Sequence, residues 1–152
     1  VYFVDKANKN ALFLSIVEGI NAPSMLVFTR TKYGADRLAR FLVKNGMKAE
    51  AIHGDKSQNN RQRSLKAFKD KTIRFLVATD IAARGIDIED IDMVINYDVP
   101  NDGEDYIHRI GRTARAESEG VAYTFVSEKE QDKFLKVEQL VGREIIKEKA
   151  GL

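Results

Sequence analysis

The chain has 152 residues, a formal net charge of +2, and 43% hydrophobic against 32% charged residues. This length and balance predict one globular domain over residues 1–152 and exclude the apolar-poor composition of disordered chains. The sequence lacks cysteine, which excludes disulfides and thiolate metal sites, and no apolar run approaches the roughly 18 residues of a membrane span. We therefore expect a cytoplasmic protein without membrane association.

Short apolar segments rich in β-branched residues alternate along the chain with longer segments of helical periodicity. The short segments are predicted strands, at residues 24–29, 49–53, 74–79, 93–98 and 121–126. Two of them, "MLVF" and "FLVA", lack polar alternation, which is typical of strands buried on both faces of a sheet. The order predicts an α/β fold with a doubly wound, mostly parallel sheet and helices on both faces.

The helical segments carry their own start and stop signals. The first begins after the first strand and ends at Gly46, a residue type that is common just past a helix C-terminus. Ser57 is the predicted N-cap of the second helix, which turns Phe68 inward and Arg61 outward. An acidic turn after Ser127 begins the last helix. The predicted apolar face of the first helix consists of Ala35, Leu38, Ala39, Leu42 and Val43.

The segment "TDIAARGID" follows a buried strand and predicts a loop over residues 80–90. Sheets of this kind bind ligands at the carboxyl ends of their strands. Thr79, Arg84 and Gly85 are suited to holding a phosphate, and Asp87 to accepting hydrogen bonds from ribose hydroxyls. A tight loop, with Gly85 at positive φ and Asp87 capping a turn, accounts for the same residues equally well.

The segment "HRIGRTAR" concentrates positive charge. On a helix, His108, Arg112 and Arg115 fall at positions i, i+4 and i+7 and share one face. Like charges at such spacings destabilise a helix by roughly 0.2–0.5 kcal/mol per pair, which favours an anion as their partner. Guanidinium groups match phosphate geometry, so we favour a polyphosphate site. Surface salt bridges to the 23 carboxylates of the chain are the alternative.

Two motifs of nucleotide hydrolysis are missing from the sequence. The chain has no G-x-x-x-x-G-K-[ST] run to hold phosphates, and no paired acidic motif after an apolar strand to hold magnesium. His53 and His108 lie far apart in the sequence and predict no metal site. The phosphate that meets the arginines is therefore expected to be presented by another domain. A second basic run, seven Lys or Arg against one acid over residues 56–74, fits a solvated helix face by itself.

Five segments in one order resemble a known family: "LVFTRTKYGADRLA", "AIHGDKSQNNRQRSLKAFK", "RFLVATDIAARGIDIED", "VINYDVP" and "YIHRIGRTAR". Over residues 24–126 they are similar to the second RecA-like domain of DEAD-box RNA helicases. The "IGRTARAE" and "GREI" segments most resemble the bacterial RhlE subgroup. The resemblance implies a C-terminal helicase domain, inactive alone, whose partner is an N-terminal RecA-like domain absent from this chain.

The resemblance also implies roles for particular residues. Contacts to the RNA backbone are implied for Thr31, Gln58, Arg61, Thr79, Arg84 and Gly85. Asp87 and Gly85 match positions at the nucleotide, and His108 matches a residue that bonds the partner domain. Arg112 and Arg115 match arginine fingers that reach the γ-phosphate of ATP. The implied ligands are ATP, with Mg²⁺ held by the first domain, and RNA bound largely independently of sequence.

The sequence departs from the family at Ala114, where most members have glycine; both flanking arginines remain, so we expect activity to survive. Arg109 matches a position that anchors the segment within the domain. We expect a monomer. Two other functions stay open on the sequence, a non-catalytic RNA-binding module and a DNA translocase domain of the same superfamily.

Overall fold

A computed structural model describes residues 2–20, 22–83, 91–100, 121–141 and 148–149 of the chain. Its strands are β1 (Tyr2–Phe3), β2 (Met25–Phe28), β3 (Ala49–Ile52), β4 (Phe75–Ala78), β5 (Met93–Asn96), β6 (Val121–Val126) and β7 (Glu148–Lys149). Its α-helices are α1 (Lys9–Glu18), α2 (Lys32–Lys44), α3 (Gln58–Lys69), α4 (Asp80–Ala83) and α5 (Gln131–Val141). Short 3₁₀ turns at Lys6–Asn8 and Glu128–Glu130 precede α1 and α5.

The described strands form one sheet in the order β3-β4-β2-β5-β6-β1-β7, and every neighbouring pair is parallel. The five predicted strands and the parallel sheet are confirmed. Two features are additional to the sequence prediction, the helix α1 and the two-residue strands β1 and β7, which extend the sheet beyond β6. Two-residue strands are too short to show an alternating pattern, which explains why periodicity did not indicate them.

Both faces of the central strands are buried. On one face, Phe13 of α1 and Leu42 of α2 pack with Val27 and Phe75 of the sheet. On the other, Phe68 of α3 packs in a second cluster with strand residues of the opposite parity. All four residues of β2, β4 and β5 are buried, as expected for parallel strands covered by helices on both sides.

Gly46 ends α2 as predicted. Its φ of +79° is in the left-handed region that glycine adopts without strain. The N–H of Met47 donates to the carbonyl of Leu42 at 2.9 Å, and the N–H of Gly46 donates to Val43 at 3.1 Å. These two bonds are those of a Schellman motif. The prediction that Val43 faces the core is wrong, because its side chain is 57% exposed.

The loop predicted over residues 80–90 is also wrong at its start. Residues Asp80–Ala83 form the short helix α4, in which the N–H of Ala83 donates to the carbonyl of Thr79 at 3.0 Å. Burial of Ala82 and Ala83 against the sheet outweighs the weak helical pattern of four residues. Residues 84–90 and the segment "HRIGRTAR", considered above as a helix, lie outside the described residues. None of the described helices is long and apolar enough to cross a membrane.

Arg74, directly before β4, hydrogen-bonds to the backbone at and after the end of α1. Its guanidinium donates to the carbonyls of Ala22 at 2.8 Å, Ile20 at 2.9 Å and Val17 at 3.3 Å. The same group lies over the ring of Phe75, with its central carbon 5.1 Å from the ring centroid. One side chain thus satisfies three backbone acceptors that follow or end a helix.

Replacing Arg74 by methionine is expected to lower the free energy of unfolding by about 2 kcal/mol, because partly buried carbonyls lose a charged donor. The measurement is urea denaturation followed by circular dichroism. Lys66→Met, at an exposed position of α3, is the matched control and is expected to change stability by less than about 0.5 kcal/mol. Equal midpoints for the two variants would contradict the role of Arg74.

Candidate functional site

Three loops that carry predicted ligand contacts leave neighbouring strands at the same edge of the sheet. Thr31 follows β2, Thr79 follows β4, and Gln58 follows β3 at the beginning of α3. The strands lie in the order β3, β4, β2, and all are parallel. A hydrogen bond of 3.0 Å from the N–H of Thr29 to the carbonyl of Ala78 ties the first two loops together. The structure therefore brings these three predicted residues to one edge.

Thr31 is the N-cap of α2. Its hydroxyl oxygen accepts the N–H of Gly34 at 3.0 Å, and its carbonyl accepts the hydroxyl of the buried Thr29 at 3.1 Å. The cap uses Thr31 as an acceptor, so its own O–H proton is left to donate to a ligand oxygen. A Cβ on Gly34 would lie 3.1 Å from the hydroxyl oxygen of Thr31, so a glycine at this position avoids crowding that hydroxyl. Thr29 is a positioning residue that the sequence prediction did not include.

The loops after β2 and β3 are joined by charge. Lys32 pairs with Asp55 at 2.9 Å, and Asp36 of α2 contacts His53 at 3.0 Å and Lys56 at 3.5 Å. Burial acts to raise the pKa of the Asp36 carboxyl, but the hydrogen bond and charge of His53, together with Lys56, hold that pKa below its ordinary value. The hydrogen bond from Lys32 likewise lowers the pKa of Asp55. The two loops therefore hold each other in place at neutral pH.

His53 is buried and takes part in the contact between the loop after β3 and helix α2. Its Nδ1 accepts the N–H of Asp55 at 3.2 Å, so in the neutral ring the proton resides on Nε2 and is donated to Asp36. Both ring nitrogens are then engaged. His53 is structural in this arrangement and has no free nitrogen for proton transfer or a metal. Within the described part of the chain, no group of three or more acidic or histidine side chains could hold a metal ion.

Gln58 and Arg61 lie on α3, directly after the predicted N-cap. The hydroxyl of Ser57 accepts the N–H of Asn60 at 3.1 Å, which confirms that cap. Gln58 is exposed and Arg61 is half-buried. Three residues correspond to about 300° of rotation, so Gln58 and Arg61 lie within 60° of each other on the helix surface. Arg63 lies on another face and pairs with Glu50 at 3.5 Å.

The remaining predicted site residues lie outside the described residues. They are Arg84, Gly85, Asp87, His108, Arg112 and Arg115, together with Arg109 and Ala114. Their assignments stay predictions from the sequence. The described chain reaches the same edge of the sheet at the end of β5 and continues through Val99 and Pro100 towards residues 101–120.

A buried lysine connects the ends of β5, β6 and α1 behind this edge. Lys9 is 2% exposed and donates to Glu130 at 2.7 Å, to Asp98 at 3.1 Å and to the carbonyl of Tyr97 at 2.8 Å. Glu130 also accepts the N–H of Val99 at 2.7 Å. The network therefore fixes the backbone immediately before residues 101–120.

The same network reaches the loop of Thr31. Asp98 uses its second oxygen to accept the N–H of Arg30 at 2.8 Å. Tyr97 donates its hydroxyl to Asn10 at 2.6 Å, and burial, reinforced by the charge of Asp98, raises the pKa of Tyr97 to about 12. The phenol therefore remains a neutral donor at physiological pH.

Sequence reasoning missed this network, although a signal was present. Lys9 falls on the apolar stripe of its helix, at i−3 and i−4 from the buried Leu12 and Phe13. A cation within an apolar stripe indicates a buried ion pair. Its partners, Asp98 and Glu130, lie 89 and 121 residues away in the chain, and no periodicity in the sequence points to them.

Replacing Lys9 by methionine is expected to lower the free energy of unfolding by about 3–5 kcal/mol, because two carboxylates lose the cation that compensates them. Lys6→Met, at an exposed position one turn earlier, is the control and is expected to change stability by less than about 0.5 kcal/mol. Thermal and urea unfolding provide the measurement. A Lys9 variant as stable as the Lys6 variant would show that the network contributes nothing.

Comparison with known proteins gives consistent results. Residues 8–117 match the helicase conserved C-terminal domain family. The chain is 42% identical over 140 residues to the ATP-dependent rRNA helicase RRP3 of Saccharomyces cerevisiae, an alignment that covers 92% of this chain and 28% of the relative. The chain thus spans somewhat more than a quarter of the length of that curated relative.

Two solved structures extend the comparison to the fold. The E. coli DEAD-box protein SrmB, bound to the regulator of ribonuclease activity RraA, aligns with a TM-score of 0.90 at 35% identity, covering 99% of this chain and 88% of that one. A DEAD box protein from Methanococcus jannaschii aligns with a TM-score of 0.90 at 38% identity, covering 97% of this chain and 40% of that one. These matches confirm the RecA-like fold. The chain belongs to the helicase conserved C-terminal domain family, in the form found in DEAD-box proteins.

Proposed function

We propose that residues 1–152 form the second RecA-like domain of an ATP-dependent RNA helicase, and that the domain contributes RNA contacts and arginine fingers to RNA-stimulated ATP hydrolysis and local unwinding. The observation that carries the proposal is the gathering of Thr31, Gln58 and Thr79 at one edge of the sheet. Membership of the family supports it. Kinship with the RhlE subgroup rests on "IGRTARAE" and "GREI" alone.

RNA binding at this edge of the sheet would involve mainly the sugar-phosphate backbone of the RNA. Hydroxyl and amide donors, such as those of Thr31 and Gln58, suit phosphate and ribose oxygens, and Arg61 adds a charge that pairs with phosphate. Contacts to phosphate and ribose oxygens carry no sequence information, so recognition should be largely independent of sequence. Ordering of the loops after β2 and β3 by the Lys32–Asp55 pair, and of the loop after β2 by the Lys9 network, would reduce the entropy cost of binding the RNA strand.

The nucleotide would be shared with an N-terminal RecA-like domain. In this proposal that domain binds ATP and Mg²⁺, as the resemblance to DEAD-box helicases implies. Asp87 and Gly85 would face the nucleotide, Arg112 and Arg115 the γ-phosphate, and His108 the partner domain. Guanidinium groups stabilise the negative charge that builds up during phosphoryl transfer. The domain would therefore be inactive alone, and it would work as a cytoplasmic monomer with RNA as its partner.

In the protein that also contains the N-terminal domain, Arg112→Ala and Arg115→Ala are each expected to lower RNA-stimulated ATP hydrolysis by about 10³-fold or more, the range known for arginine fingers. Arg63→Ala is the matched control, because Arg63 is an exposed arginine in a surface ion pair. Steady-state ATPase assays with RNA in excess provide the rates. Undiminished turnover in the Arg112 and Arg115 variants would reject the arginine-finger role. Stimulation by DNA but not RNA would instead favour a DNA translocase.

The two arginines of α3 give a second, independent test. Arg61→Ala is expected to weaken binding of single-stranded RNA and to reduce the slope of log affinity against log salt by about 0.7, the value for one lost phosphate contact. Arg63→Ala, on another face of the same helix, is expected to leave both unchanged. Fluorescence anisotropy at several salt concentrations measures the two slopes. Tight RNA binding by this chain alone, without any ATPase in the two-domain protein, would favour a non-catalytic RNA-binding module.

A further inference from the structure

A groove of about 960 Å³ runs along the free side of β3, the strand at one end of the described sheet. Helix α2 forms one wall and α3 the other, and β3 forms the floor. Arg37, Arg40 and Lys44 line it from α2, Lys56 from the loop before α3, and Asn60 and Arg63 from α3. The groove runs along the outer side of β3. The candidate RNA site, formed by Thr31, Gln58, Arg61 and Thr79, lies instead at the carboxyl ends of the strands.

The backbone of β3 offers unpaired hydrogen-bonding groups to this groove. The N–H of Phe75 in β4 donates to the carbonyl of Lys48 at 3.1 Å. Successive residues of a parallel strand direct their backbone N–H and C=O groups to alternate sides. The backbone groups of Glu50, like the carbonyl of Lys48, therefore point towards β4, while those of Ala49 and Ala51 point away from it. Within the described part of the chain no strand pairs with that side. An unpaired strand edge is a template for another strand.

The groove is predominantly basic. Its two acids are already engaged, Asp36 with His53 and Lys56, and Glu50 with Arg63. Arg37, Arg40 and Lys44 follow one another along one side of α2 at spacings of three and four residues. None of the three makes an ion pair with another described residue, and they are exposed. An occupant of this groove should therefore carry negative charge.

The groove also has apolar surface that a peptide would cover. Phe41 is half-buried and Val43 is 57% exposed, and both line the groove beside the small side chains of Ala49 and Ala51. Small residues on the strand leave room for the side chains of a neighbouring strand. A second copy of this chain is a poor occupant, because pairing two β3 edges would bring two rows of cations together.

We propose that this groove binds an extended, acidic segment of a partner polypeptide, which adds to the sheet as a strand next to β3. Backbone hydrogen bonds to Ala49 and Ala51 would supply affinity, and carboxylates facing Arg37, Arg40 and Lys44 would supply specificity. Single-stranded RNA could meet the same cations, but it would leave the amides of the strand edge and the apolar surface unused. Protein recruitment at this groove is independent of ATP and of the candidate RNA site.

The probe for a test is an acetylated peptide of five Glu-Val repeats carrying a fluorophore. We expect saturable binding to the chain, and at least a tenfold weaker affinity for the double variant Arg37→Glu and Arg40→Glu. The double variant Lys66→Glu and Lys69→Glu changes the net charge equally at exposed positions outside the groove and is expected to bind as the parent does. A Lys-Val peptide is expected not to bind.

Two further readouts test strand addition itself. One peptide is N-methylated on every Glu and another on every Val; because alternate amides of a strand face opposite ways, only one of the two should lose affinity, by at least tenfold. Hydrogen exchange followed by NMR should show new protection of the Ala49 and Ala51 amides when peptide binds.

Failure of the acidic peptide to bind, or equal binding of both methylated peptides, would overturn the proposal. So would a uridine decanucleotide that binds in the groove through Arg37 and Arg40 more tightly than the peptide.

Discussion

All the strands of the described sheet run in one direction, and this constraint organises the rest of the molecule. Parallel neighbours cannot be joined by tight turns, so helices must return the chain over the faces of the sheet. The helices bury both faces, which is why β2 and β4 are apolar throughout and β5 is apolar apart from Asn96. The same geometry sends every loop that follows a strand to one edge. The candidate RNA and nucleotide site is a consequence of that arrangement.

Parallel strands gather the loops but do not fix their conformations. That task falls to two polar networks with different characters. The Lys32–Asp55 pair lies at the surface of the site and is individually weak, whereas the Asp36–His53 contact joins a half-buried carboxylate to a buried ring. The Lys9 network is buried and reaches Arg30 on one side and Val99 on the other. It therefore connects a loop of the candidate RNA site with the segment that leads towards the predicted arginine fingers.

The two ends of the β-sheet differ in a way that bears on partners. At one end β1 and β7 extend the sheet, whereas at the other β3 has a free side bordered by cations from α2 and α3. Helix α3 serves both surfaces, since Gln58 and Arg61 belong to the candidate RNA site while Asn60 and Arg63 line the groove. RNA contact and protein recruitment could therefore occur together, because different faces of one helix carry them.

The sequence by itself determined the five strands β2 to β6, the parallel α/β fold, the caps at Ser57 and Gly46, and the residue types of the candidate site. These features are local or periodic, and short segments of sequence contain them completely. The predictions for Val43 and for residues 80–83 failed because the exposure of Val43 and the burial of Ala82 and Ala83 are set by packing in the folded domain, which the local sequence pattern does not show. Lys9 with Asp98 and Glu130, the His53–Asp36 bond and the free edge of β3 were decided only by tertiary structure. Each of these features depends on the order of the strands in the sheet, which brings together, or leaves exposed, groups from separate parts of the chain. No local rule in the sequence specifies that order.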